Sequence, residues 1–111
     1  MATGKEKRRS TRVQHKSPLR YRIIPVDAKG YRSAAVQDLS LTGFRFHSQE
    51  FIPRRASIIL EMDLLGHAPV HSLATAVWVR ERPIEGGYEV GGMFVEPPHA
   101  ARKTLGKLVS D

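Results

Sequence analysis

Two short stretches of this 111-residue chain hold side chains whose types and spacing could do chemistry. Arg8-Arg9-Ser10-Thr11-Arg12 offers three guanidinium groups, with Arg8 and Arg12 in the pattern R-x-x-x-R. Asp38-Leu39-Ser40-Leu41-Thr42-Gly43 offers a carboxylate, a hydroxyl and a tight glycine turn in the pattern D-x-S-x-x-G. Guanidinium forks donate in pairs to phosphate oxygens and to base edges, and a carboxylate accepts from N–H groups. The set suits an anionic ligand with a hydrogen-bonding edge.

The two motifs differ in weight. With twelve arginines in the chain, about one R-x-x-x-R pair arises by chance, and a solvated basic tail explains it equally well. D-x-S-x-x-G is expected only about 0.02 times from composition. Its bland explanation is a strand ending in a turn, because Asp, Ser and Gly all form turns. The order of the parts argues against that: an arginine arm, one strand hairpin, then this turn.

The charge is as localised as the motif. Residues 1–22 carry eight basic side chains against Glu6 alone and so hold the whole net charge of +7. Residues 23–111 balance ten basic with ten acidic groups. A localised excess implies a localised anionic partner: nucleic acid, a membrane surface or a phosphate ligand. The length suits one domain, with 41% hydrophobic residues, no cysteine and no apolar run long enough to span a bilayer. The expectation is a cytoplasmic protein without membrane insertion, a monomer or weak dimer.

The elements that must position the motifs follow from periodicity. Residues 1–16 are nearly devoid of apolar side chains and read as a flexible basic arm; residues 17–111 form the folded domain. Leu19, Tyr21 and Ile23 alternate with Arg20, Arg22 and Ile24 in a first strand. A turn at Asp27-Ala28-Lys29-Gly30 leads to a second strand, Tyr31 to Asp38. After the Gly43 turn, Phe44 and Phe46 face opposite to Arg45 and His47. Ile58, Leu60 and Met62 define a fourth strand. Val70 to Arg82 forms a fifth, with Val77 and Val79 on one face and Ala76, Trp78 and Arg80 on the other. Tyr88 to Val95 is a sixth, with Gly86-Gly87 read as a turn and Gly91-Gly92 as a bulge. Pro97-Pro98 ends it, and residues 99–109 take helical spacing through Ala101, Leu105, Leu108 and Val109. The pattern predicts an all-β fold, a small six-stranded antiparallel barrel with a short C-terminal helix.

Arg8-x-x-x-Arg12 followed by Asp38-x-Ser40-x-x-Gly43 resembles the two-part signature of the PilZ-domain family, bacterial receptors for cyclic di-GMP. Gly43-Phe44-Arg45-Phe46, Ala76-Val77-Trp78-Val79 and Tyr88-Glu89-Val90-Gly91-Gly92-Met93-Phe94 also resemble that family's later strands. The resemblance implies a six-stranded barrel with a C-terminal helix, in agreement with the strand pattern. It further implies that Arg8 and Arg12, with Arg9 close behind, contact guanine and phosphate. Asp38 would accept from guanine's N1–H and amino group. Ser40 would act within the turn, and Gly43 would supply a positive φ and clear the ligand's path. Trp78 and Arg80 stand where family members place a Trp and an Arg near the ligand; barrel packing would explain Trp78 equally well.

The implied activity is that of a receptor or adaptor. Ligand would clamp the arginine arm onto the barrel and create a surface for a downstream protein. No cofactor or metal is expected, and no enzyme: His15, His47, His67, His71 and His99 lack metal or triad spacing. Two other readings fit the same composition. A basic barrel could bind nucleic acid, although the modest aromatic set and neutral body make this unlike a backbone-tracking groove. A module of the same family could bind a protein without nucleotide.

Overall fold

The computed structural model describes residues 13–24, 30–64 and 68–109. Within them lie β1 (Val13–Ile24), β2 (Arg32–Leu39), β3 (Gly43–Ser48), β4 (Ser57–Met62), β5 (Val70–Glu81), β6 (Tyr88–Val95) and α1 (His99–Val109). The strands close into an antiparallel barrel in the order β1-β2-β3-β6-β5-β4, as the alternation predicts. Leu19, Tyr21, Val36, Phe44, Phe46, Ile58, Leu60, Met62, Ala74, Val90 and Phe94 point inward and are buried together. The α1 helix lays Ala101 and Leu105 into that core and packs against β5. Closure matters for the motifs because it makes β2, β3, β6 and β5 four adjacent staves of one outer face.

Three details depart from the sequence reading. First, β1 begins at Val13, within the stretch assigned above to the arm, and its first two residues pair with β2: Val13 lies opposite Leu39 and Gln14 opposite Asp38. Strand pairing there is a backbone matter, and a side-chain pattern cannot register it. Second, the bulge belongs to β5. Ala76 pairs with Gly92 and Trp78 with Gly91, so Val77 is the extra residue. The inserted residue reverses the alternation. Ala76 is therefore buried and Val79 packs against the core, while Val77, Trp78 and Arg80 face outward. Third, Gly43 does not take a positive φ; among the described glycines Gly30, Gly86 and Gly87 do.

At one end of the core, the Tyr21 hydroxyl donates to Glu50 Oε2 at 3.1 Å and lies 3.0 Å from Ser48 Oγ. Burial raises its pKa above the usual tyrosine value, and the Glu50 charge acts in the same direction, while the Ser48 hydrogen bond opposes both. The unfolded chain releases this proton near pH 10 while the folded protein still holds it. Stability from Tyr21 is therefore complete below about pH 10 and declines as pH rises above it. Tyr21→Phe should cost about 1 kcal/mol at pH 7 and flatten the alkaline decline, read by denaturant titration at several pH values.

Candidate functional site

On the outer face of β2, β3, β6 and β5 lies an open cavity of about 450 Å³, a size usual for small-molecule sites. Asp38, Thr42, Gly43, Arg45, Val77, Trp78, Gly91 and Met93 are among its lining residues. Asp38 and Arg45 are cross-strand partners, and Arg45 Nη2 donates to Asp38 Oδ2 at 2.7 Å. The other end of the same guanidinium, Nη1, donates to Glu89 Oε2 at 2.8 Å. Glu89 Oε1 in turn accepts from Arg80 Nη2. Asp38, Arg45, Glu89 and Arg80 thus alternate in sign, one from each stave. Both carboxylates are only 4% exposed, which is tolerable because each is paired and hydrogen-bonded.

The turn that carries the second motif is built by its own serine. Ser40 Oγ accepts from the backbone N–H groups of Thr42 and Gly43 at 3.2 and 3.1 Å, and Ser40 N donates to Gly43 O at 2.9 Å. Phe94 N donates to Thr42 O at 2.9 Å, fastening the turn to β6. Ser40 is buried and shapes the turn from beneath. Gly43 is required by proximity: a Cβ there would collide with the carbonyl oxygen of Gly92. Backbone cannot swing aside, so Gly43→Ala should cost about 2 kcal/mol by overpacking, whereas Thr42→Ala, exposed in the same turn, should cost under about 0.5 kcal/mol. Thermal melts of the two variants check the difference.

Trp78 is displayed by the bulge on β5. Its indole lies across Gly91, where a Cβ would fall on the ring, and it remains 38% exposed. The guanidinium carbon of Arg80 is 5.9 Å from the centre of that ring. Of the residues expected from sequence, Asp38, Gly43 and Trp78 come together at the cavity, Ser40 supports it, and Arg80 borders it through Glu89. Arg8, Arg9 and Arg12 lie outside the described residues. Arg45 and Glu89 escaped notice because each reads as an outward polar residue in a strand. Counting outward from the Ser40–Gly43 turn would have placed Arg45 opposite Asp38; nothing comparable marks Glu89. No group of three or more His, Asp or Glu able to hold a metal ion occurs among the described residues.

The PilZ domain matches residues 6–111. The chain belongs to the PilZ domain family. Its fold is correspondingly similar to solved structures of that family. The PilZ domain of YcgR from Escherichia coli, solved with c-di-GMP, superposes with a TM-score of 0.72 at 13% identity, covering 94% of this chain and 89% of that one. The inhibitor of motility MotI/DgrA from Bacillus subtilis gives a TM-score of 0.80 at 10% identity, covering 94% of this chain. This PilZ chain spans 50% of the length of MotI/DgrA. The MrkH–c-di-GMP complex from K. pneumonia gives 0.67 at 14% identity, covering 95% of this chain and 52% of that one. No curated protein matches the chain.

Proposed function

We propose that this PilZ domain is a receptor for cyclic di-GMP, acting by binding rather than by catalysis. The observation that carries the reading is the outer-face cavity, where Asp38, Gly43 and the half-exposed Trp78 converge beside the point at which the arginine arm enters β1. Gln14 lies opposite Asp38, and Arg12 is two residues upstream. Family membership and the c-di-GMP complexes of YcgR and MrkH support it.

Each ligand group finds a chemical counterpart. Trp78 offers an aromatic plane for a guanine, and stacking of this kind contributes about 1–3 kcal/mol per base. Asp38 accepts from guanine's N1–H and amino group; an ionised carboxylate has about four acceptor positions. Adenine presents no N1–H, so the carboxylate discriminates against it. Arg8, Arg9 and Arg12 take the phosphates and the O6/N7 edge, for which the guanidinium fork is suited. Ordering the arm costs roughly 1–2 kcal/mol per residue, offset by these charge-assisted bonds. The clamped arm then forms part of a new surface for a downstream protein.

Calorimetric titration with cyclic di-GMP, with cyclic di-AMP, GTP and a short single-stranded oligonucleotide in parallel, tests the reading. Binding confined to cyclic di-GMP and abolished in Arg8→Ala and Asp38→Ala is expected, and the same isotherm gives the stoichiometry. Absence of binding by the folded parent protein would overturn it, and oligonucleotide binding in its place would favour the basic-barrel alternative.

A further inference from the structure

Glu89 has no counterpart among the roles assigned above. It is a carboxylate 4% exposed, on the outward side of β6, where the barrel core makes no demand on it. Its two oxygens are divided between Arg45 and Arg80. With Asp38 also on Arg45, the two arginines of the platform are matched by two carboxylates, and the formal charges cancel. The basic excess of the chain resides entirely in residues 1–22. Net positive charge is therefore supplied by the arm and β1, and the four-residue platform against which the proposed ligand lies is neutral.

We propose that Glu89 is a specificity-determining residue for nucleotide recognition. It holds the guanidinium groups of Arg45 and Arg80 as an internal counter-ion, so that the platform offers no independent site to phosphate. An anion arriving at Arg80 meets a fixed negative charge on the same guanidinium, and discrimination by like-charge repulsion of this kind excludes competitors rather than improving the chosen ligand. Ligands whose charge is concentrated in a phosphate chain, such as GTP or pyrophosphate, gain no added anchor at Arg45 or Arg80. Those that can stack on Trp78 and reach Asp38 use the neutral platform without meeting the barrier. The inference rests on the receptor reading of this face.

The test compares the full chain with Glu89→Gln and with the double variant Glu89→Gln/Arg80→Gln, titrating inorganic pyrophosphate, GTP and cyclic di-GMP calorimetrically at two salt concentrations. Removing one negative charge should raise pyrophosphate and GTP affinity about ten-fold and steepen the salt dependence, because the attraction it frees at an exposed guanidinium is screened by salt. The preference for cyclic di-GMP over GTP should narrow accordingly. The double variant, neutral again, should return pyrophosphate affinity to the parent value, which a purely structural role for Glu89 would not produce. Unchanged pyrophosphate affinity in Glu89→Gln, or a gain that persists in the double variant, would overturn the assignment. Glu89→Gln keeps a carbonyl for Arg45, which retains Asp38, and Arg80 is 69% exposed in its side chain, so the variant is expected to fold. Should it melt below the assay temperature, Glu89→Met takes its place in the same comparison. If the parent fails to bind cyclic di-GMP, the receptor reading falls, and the pyrophosphate comparison still judges Glu89 by itself.

Discussion

Arg45→Met should be the most destabilising substitution on the outer face, lowering stability by about 3 kcal/mol and the thermal midpoint by roughly 10–20 °C. Among the described residues Arg45 is the cation that touches both buried carboxylates. Its removal takes a strong partner from Asp38 and leaves Glu89 with Arg80, whose side chain is mostly exposed and so screened by solvent. Breaking a fully buried pair costs about 3–5 kcal/mol; the guanidinium here is one-third exposed, which places the expectation at the lower end. Adding Asp38→Asn to Arg45→Met should recover part of the loss, because the charge left behind is then gone. Denaturant titrations of the two single variants and the double form a cycle that isolates the pair. A loss below about 0.5 kcal/mol in Arg45→Met would mean that the charge chain is not formed in solution.

Gly91→Ala should have the opposite profile, a large effect on binding with little on stability. A Cβ at this position would occupy the space of the Trp78 indole, and the indole, already on the outer face, can swing into solvent. The barrel should lose less than about 1 kcal/mol, whereas a displaced stacking plane should cost roughly 10- to 100-fold in cyclic di-GMP affinity. Trp78 is the sole tryptophan of the chain, so its fluorescence reports the displacement without labelling. A red-shifted emission with a near-parental melt is expected. Unmoved emission with normal affinity would refute the seating of Trp78 on Gly91.

The contrast between what could be read in the residues and what required coordinates is physical. Alternation marked every strand whose two faces differ in polarity, as in Leu19-Arg20-Tyr21 or Phe44-Arg45-Phe46, and the switch to helical spacing after Pro98 marked α1. It failed where an element is defined by backbone pairing, at Val13 and Gln14, and where an inserted residue resets the phase without changing composition, at Val77. That one bulge decides whether Trp78 is core or site. Asp38 and Gly43 were legible because a turn motif is local. The Asp38–Arg45–Glu89–Arg80 chain joins four strands, and its existence depends on registers that a further irregularity between Val36 and Asp38 also shifts. The Gly91-Gly92 pair was seen but misassigned: the irregular strand is its neighbour, and the missing side chains make room for Trp78 and Phe44.

The pairing of Gln14 with Asp38 has a consequence for the arginine arm. Arg12 lies two positions before Gln14 and Arg8 six, a contour of at most about 21 Å. On the proposed reading, a ligand on the platform would meet these arginines as covalently linked neighbours, at an effective concentration in the millimolar range for so short a link. Lengthening the tether would dilute the arginines roughly as the −3/2 power of its length. The same residues supplied as a separate peptide would need to be present at millimolar levels to match what the covalent chain provides.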